Sequence, residues 1–342
     1  VTDRDGTRDY DVVVIGGGAA GLSGAVSLAR SRRSVAVVDA GEPRNAPAEG
    51  VHVLLGREGV DPLDLLARGR EELRGYGGEV VGGRVVGAAR EDGGFAVRLS
   101  DGRTLRSRRL LVATGLADEL PDVAGLGDRW GRDVIHCPYC HGWEVRGQRI
   151  GVLSSGPMSV HQALLMRQLS EDVVFFAHTA DPVGAEDRER MRALGIEVVQ
   201  GAVAAVETAG DRLSGVRLGD GRVVERDALA VATRMVARAG FLAELGLPLR
   251  EHPMGVGEHV EAEFGGRTEV AGVWAAGNVT DLTAQVGAAA AAGTMAGAQI
   301  NADLVMEEAD RAVARMRAGL PFSARAEARA HEAVAGPERH GL

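Results

Sequence analysis

The chain has 342 residues, 45% of them hydrophobic, and a formal net charge of −9. That length suits two compact domains with substantial cores, and the acidic balance argues against nucleic acid or an anionic membrane surface as partner. No run is long and apolar enough to cross a bilayer, and the opening "VTDRDGTRDY" is polar rather than a signal peptide, so a cytoplasmic protein is expected.

In chain order, "YDVVVIGGGAAGLSGAVSLARSRRSVAVVDAGEPRN" comes first and reads as strand, tight turn, helix, strand. Val12 to Ile15 is a continuous apolar β-branched run, as a buried parallel strand requires. Gly16, Gly18 and Gly21 then give G-x-G-x-x-G. The first glycine permits the turn, the second lets backbone N–H groups approach a pyrophosphate, and the third lets helix and strand pack closely. Asp39 ends the next strand, where an acid accepts hydrogen bonds from a ribose.

Phe95 to Gly115 predicts a hairpin with an Asp101-Gly102 turn and then an apolar strand. The phrase returns from Ser214 to Arg234: Val97-Arg98-Leu99 matches Val216-Arg217-Leu218, and the Asp-Gly-Arg turn and Val-Ala-Thr ending recur. This predicts duplication of one unit. The fold class is therefore α/β, with two doubly wound, Rossmann-like dinucleotide-binding domains that each carry a small β-meander.

Between the two phrases lies "HCPYCHGWEVRG", which holds both cysteines of the chain, Cys137 and Cys140, flanked by His136 and His141. Two cysteines make no disulfide scaffold, and ligands this crowded do not easily surround a tetrahedral zinc, so no metal is expected; C-x-x-C reads as a redox pair. Trp130, Tyr139 and Trp143 are candidates for lining a substrate pocket, with core packing an equal explanation for the two tryptophans. In "RIGVLSSGPMSVHQALLMRQL" a strand from Ile150 to Leu153 leads into a helix, but the three glycine positions hold Ser154, Gly156 and Ser159. Pro157 removes one more N–H donor. A retained fold with a damaged dinucleotide site is predicted, with Met158, His161 and Met166 of that helix packing rather than binding ligands. A last glycine-rich stretch leads a strand through Ala275-Ala276-Gly277-Asn278 into a helix of small residues. The charged, alanine-rich tail from about Phe322 predicts a peripheral helix or a disordered end without chemistry.

"GGGAAG", "VATG", "CPYCHG" and "VWAAGN", in that order, make the chain resemble the low-molecular-weight thioredoxin reductase family of FAD disulfide oxidoreductases over nearly its whole length. The resemblance implies an FAD-binding domain from residues 1–115 and 241–320, an inserted domain at 116–240 carrying the cysteines, a peripheral tail at 321–342, and a homodimer. It places Gly16, Gly18, Ala19, Ala20 and Gly21 around the FAD pyrophosphate and Asp39 on the adenosine ribose. Thr114 and Gly115 should pass close to the cofactor, and Gly277 and Asn278 should meet the ribityl chain and flavin. Arg44, Asn45 and His52 fall in the loop running toward the flavin ring. Ala40, Val85, Ala113, Gln285 and Val286 complete the implied contacts.

Two departures from that family matter. Its NADPH turn falls on Ser154, Gly156 and Ser159, and its 2′-phosphate grip falls on Ala177, His178 and Thr179, two of which offer no charge-assisted donor. Histidine also replaces the family's aspartate after the second cysteine, at His141, and titrates nearer neutral pH. Both departures resemble the dithiol oxidase branch, relatives of the gliotoxin and holomycin enzymes that close disulfides in small natural products. That resemblance implies FAD as cofactor and a small-molecule dithiol and molecular oxygen as partners. It casts Cys137 as the attacked, more accessible sulfur, Cys140 as the cysteine facing the flavin, and His141, or less directly His136, as base. An NAD(P)H- or ferredoxin-dependent disulfide reductase, and a non-catalytic flavin-bound redox sensor, stay open as alternatives.

Overall fold

A computed structural model describes residues 8–180, 183–319 and 327–328. The predicted tail beyond Phe322 lies almost wholly outside them. Among the described residues no helix is long and apolar enough to cross a membrane.

The first unit opens with β1 (Arg8–Ile15), α1 (Ala19–Arg30), β2 (Val35–Asp39), α2 (Pro62–Gly75) and β3 (Glu79–Gly82). Val12, Val13 and Val14 are fully buried because helices cover one face of the sheet and the returning chain covers the other. Asp61 caps α2 by accepting the N–H groups of Leu63 and Asp64, with Pro62 preset in the first turn. A meander follows: β4 (Val85–Glu91), β5 (Gly94–Leu99) and β6 (Thr104–Val112). β6 pairs parallel with β1 along its length and antiparallel with β5 at its start. One strand thus serves both the doubly wound sheet, ordered β3-β2-β1-β6, and the meander.

β7 (Leu116–Glu119) leads into the insert. There β8 (Val134–Ile135), α3 (Pro138–His141), β9 (Ile150–Leu153), α4 (Ser159–Met166), β10 (Val173–Phe176), α5 (Ala185–Ala193) and β11 (Glu197–Val199) build a second parallel sheet. Its meander is β12 (Val203–Ala209), β13 (Arg212–Leu218) and β14 (Val223–Glu225), and β15 (Ala228–Val231) returns to the sheet, giving the order β11-β10-β9-β15-β8. The duplicated phrase therefore folds differently in its two copies. Where the first copy runs on as β6, the second breaks after Glu225, so its meander is a separate three-stranded sheet.

β16 (Arg234–Ala237) returns to the first unit and pairs antiparallel with β7, so the two linkers zip together. β17 (Arg250–Glu251) and β18 (Gly257–His259) extend that small sheet, and β19 (Val273–Ala275) joins the first sheet beside β6. α6 (Val286–Gly319) closes the chain. It lies backbone to backbone on α1: a side chain at Gly293 would collide with the Ala20 carbonyl, which explains the run of small residues.

Candidate active site

A cleft of about 370 Å³ opens at the carboxyl ends of β1 and β6, where an open α/β sheet takes its ligands. Gly16 holds φ +110° there, and a side chain on it would strike the Ala113 carbonyl. Gly18 begins α1 without a side-chain cap, and a Cβ at that position would meet nothing within 4 Å. The first residues of α1 line the cleft and no side chain caps their N–H groups, which makes this helix start a cradle for an anion. Gly21 lies outside the lining and packs α1 onto the turn. Asp39 sits at the end of β2 and accepts from Arg70 at 2.8 Å and from the Gly41 N–H at 3.0 Å.

Ala19, Ala20, Ala40, Arg44, Asn45, His52, Val85, Ala113, Thr114, Gly115, Asn278, Gln285 and Val286 all line the cleft. Thr114 Oγ1 is buried without a hydrogen-bond partner among the described residues, so the cleft wall carries a hydroxyl awaiting a ligand. An anion cradle, an acid at ribose position and this orphan hydroxyl fit FAD. Gly277 supports the site from behind, at φ +82° and against Ala20. Asn278 donates its amide to the Ala284 and Asp281 carbonyls at 2.9 and 3.0 Å, shaping its loop in a way an aspartate could not. Sequence reasoning missed Arg84, Arg238 and Phe241 in the lining. Arg238 reaches in just beyond the second linker strand, and no local motif marks it.

The insert contributes Cys140 and His141 to the same cleft. Cys137 caps α3: its Sγ accepts the Cys140 N–H at 3.2 Å, and Pro138 starts the turn. The two cysteines form a disulfide with a Cα–Cα distance of 5.2 Å. Cys140 is exposed, whereas Cys137 is half-buried and outside the cleft lining. As whole residues in the protein chain by itself, Cys140 is therefore the more exposed of the two, although Cys137 is expected to be the attacked sulfur. Gly142 follows because any side chain there would collide with the Pro138 carbonyl.

Burial pushes the His141 imidazole below its ordinary pKa, Glu144 and Glu49 push it back up, and His52 pushes it down; the net is a lowered value. His136 is also lowered, by burial and then by the Arg44 charge, but it stands outside the cleft lining. Its Nδ1 is 3.1 Å from the Val231 carbonyl and its ring tilts against Trp130, which packs on the insert's core. Trp143 is 65% and Tyr139 63% exposed, so core packing is not the role of Trp143. His161 is likewise exposed rather than packed.

The nucleotide turn of the insert is closed by its own side chains. Ser159 Oγ, fully buried, accepts the N–H groups of Ser155 and Gly156 at 3.1 and 3.2 Å. Those are the donors a phosphate would take. At the position of the phosphate grip, His178 spends its Nδ1 on the Val203 N–H at 2.9 Å.

A doubly wound FAD cleft with a disulfide at its mouth defines a flavin-dependent thiol/disulfide oxidoreductase. A model of the pyridine nucleotide-disulphide oxidoreductase family matches residues 10–296; the chain belongs to that family and is an FAD-dependent, thioredoxin reductase-like enzyme. Thioredoxin reductase tcpT of Claviceps purpurea is 32% identical over 318 residues, spanning 86% of this chain and 95% of its own. Thioredoxin reductase sirT of Leptosphaeria maculans is 32% identical, spanning 85% and 93%. Among solved structures, HlmI matches with a TM-score of 0.83 at 43% identity, covering 92% of this chain and 99% of its own.

Proposed function

We propose that the protein is a dithiol oxidase that closes an intramolecular disulfide in a small-molecule dithiol. The single observation that carries this reading is the Ser159 hydroxyl seated on the Ser155 and Gly156 N–H groups, which denies a nicotinamide nucleotide its phosphate cradle while the FAD cleft keeps its own. The exposed Tyr139 and Trp143 beside the disulfide offer flat apolar surface to a small substrate.

His141 takes the proton from one substrate thiol, and the thiolate attacks Cys137 Sγ, breaking the Cys137–Cys140 bond and leaving a Cys140 thiolate at the cleft. The second substrate thiol then displaces Cys137, so the substrate leaves as a cyclic disulfide and the cysteines remain as a dithiol. Gly16, Gly18, Ala19 and Ala20, with Asp39, Thr114 and Asn278, would hold the cofactor, while Gly21 lets α1 pack on the turn that carries them. FAD, when bound, supplies the two-electron acceptor that restores the cysteine disulfide and is reoxidised by oxygen, giving hydrogen peroxide. A cofactor held in the cleft that Cys140 lines would leave Cys137, outside that lining, as the sulfur open to the substrate.

The same reading takes residues 1–115 and 241–320 as the FAD-binding domain and 116–240 as the insert, in a cytoplasmic homodimer. Replacing Cys140 by serine is expected to abolish dithiol turnover while the purified protein stays yellow with FAD. Turnover at the wild-type rate in that variant would overturn the scheme.

A further inference from the structure

We infer that Gln162 is a positioning residue for the redox pair: its buried amide holds the peptide that precedes Cys137, and so fixes Cys137 opposite Cys140. The inference goes beyond the oxidase reading and holds whichever way electrons flow, since either direction opens and closes the same disulfide.

The ligand place of the insert lies at the carboxyl ends of β8, β9 and β15, as in other open α/β sheets. In this chain the insert's own groups meet there. Ser155, just after β9, donates its hydroxyl to the carbonyl of Ala232, just after β15, at 2.6 Å. Ser159 Oγ takes the N–H groups of the turn. About one turn further along α4, Gln162 donates its amide N–H to the carbonyl of His136, just after β8, at 2.5 Å. A carbonyl cannot donate, so the amide nitrogen of Gln162 must be the atom that faces it. Gln162 is only 6% exposed, and its Oε1 is buried without a hydrogen-bond partner among the described residues.

An unpaired buried acceptor is costly, and an apolar side chain of the same length would avoid that cost. What glutamine supplies at this position, and methionine would not, is the N–H donated to His136. The accepting carbonyl belongs to the peptide that joins His136 to Cys137. The ring of His136 is pinned as well, with Nδ1 at 3.1 Å from the Val231 carbonyl, which makes Nδ1 the donor. Backbone and side chain of one residue are thus tied to α4 and to β15. Cys137 follows directly, and its Sγ accepts the Cys140 N–H. At the other end of α3, a side chain on Gly142 would strike the Pro138 carbonyl and the Leu169 side chain just beyond α4. The redox turn therefore rests on α4 or its extension at both ends.

Every turnover opens and recloses the Cys137–Cys140 bond. Closure brings two sulfurs back to one geometry, and it costs less entropy when the Cys137 backbone stays fixed while the bond is open. Without the Gln162 donor the open pair gains freedom, and the disulfide becomes easier to reduce.

The test uses FAD-loaded protein as wild type, Gln162→Met, Gln162→Glu and Ser159→Ala. Each is equilibrated anaerobically with mixtures of reduced and oxidised dithiothreitol, and its thiols are trapped with N-ethylmaleimide. The reduced fraction of the cysteine pair is counted by mass, and the flavin state is followed by absorbance. In this exchange dithiothreitol gives up two electrons and two protons and becomes a cyclic disulfide, while Cys137 and Cys140 take them up as two thiols. Gln162→Met keeps the length and loses the donor; Gln162→Glu turns an acceptor toward the His136 carbonyl. The equilibrium is expected to move toward the reduced pair by about fivefold in Gln162→Met, and further in Gln162→Glu. Ser159→Ala loosens the same turn without touching His136, and should lower the melting temperature with the equilibrium unmoved. An unmoved equilibrium in either folded Gln162 variant would overturn the inference, as would a shift of the same size in Ser159→Ala. Loss of FAD from both Gln162 variants would also overturn it, making Gln162 a residue of folding alone.

Discussion

Arg44 grips Asp118 through two hydrogen bonds of 2.6 and 2.7 Å, joining the loop after β2 to the first linker strand. Thr233, just before the second linker strand, donates to the same carboxylate at 2.6 Å. One side chain thus ties both linkers to the loop that lines the FAD cleft, and the Asp118 side chain is only 5% exposed.

Removing that carboxylate leaves Arg44 without its partner in a mostly buried seam. Asp118→Ala is expected to cost about 3 kcal/mol of stability. Burial pushes the Asp118 carboxyl up, but Arg44, Thr233 and the His136 charge outweigh it and hold the group below its ordinary value. The pair therefore adds stability above about pH 4 and loses it as pH falls further, through the folded value. Thermal unfolding between pH 3 and 7 should show this acid loss in the wild type and a weaker one in Asp118→Ala.

Ser159 is expected to be structural in this chain. In Ser159→Ala two turn N–H groups lose their acceptor, at a cost of about 1–3 kcal/mol in thermal or urea unfolding. The change should not by itself give reduction of the flavin by NADPH, since the phosphate-grip positions still hold Ala177, His178 and Thr179.

His141 must be neutral to accept a proton, and burial, the largest influence on it, favours the neutral ring. The acid limb of kcat/KM for a dithiol is thus expected below the ordinary imidazole value of about 6.5. His141→Asn should lower kcat/KM at pH 7 by about 100-fold and remove that limb. His136→Asn should keep the limb, because His136 stands outside the cleft lining.

The parts of this molecule that sequence made legible are local. The run Val12–Ile15 and its three glycines announce β1, the turn and α1, because a buried strand and a phosphate turn each constrain consecutive residues. Cys137, Cys140 and His141 announce themselves by spacing. What stayed hidden depends on groups far apart in the chain or on side-chain orientation. Arg44 and Asp118 are 74 residues apart, and nothing local pairs them. Serine at position 159 predicts a poorer phosphate turn, but not that its hydroxyl occupies the turn's donors. The second copy of the duplicated phrase matches the first by sequence up to its Val-Ala-Thr ending, yet breaks after Glu225 where β6 runs on. Whether that strand pairs on along the parallel sheet is settled by the neighbours it finds there, not by its own residues.

The most direct measurement of the central claim is anaerobic addition of NADPH, then NADH, then a small dithiol to the FAD-loaded protein, following the flavin absorption band. The expected result is no bleaching by either nucleotide, prompt bleaching by the dithiol, and return of the colour when oxygen is admitted. Prompt bleaching by a nicotinamide nucleotide would contradict the oxidase reading and make the protein a disulfide reductase with a nucleotide site unlike its family's.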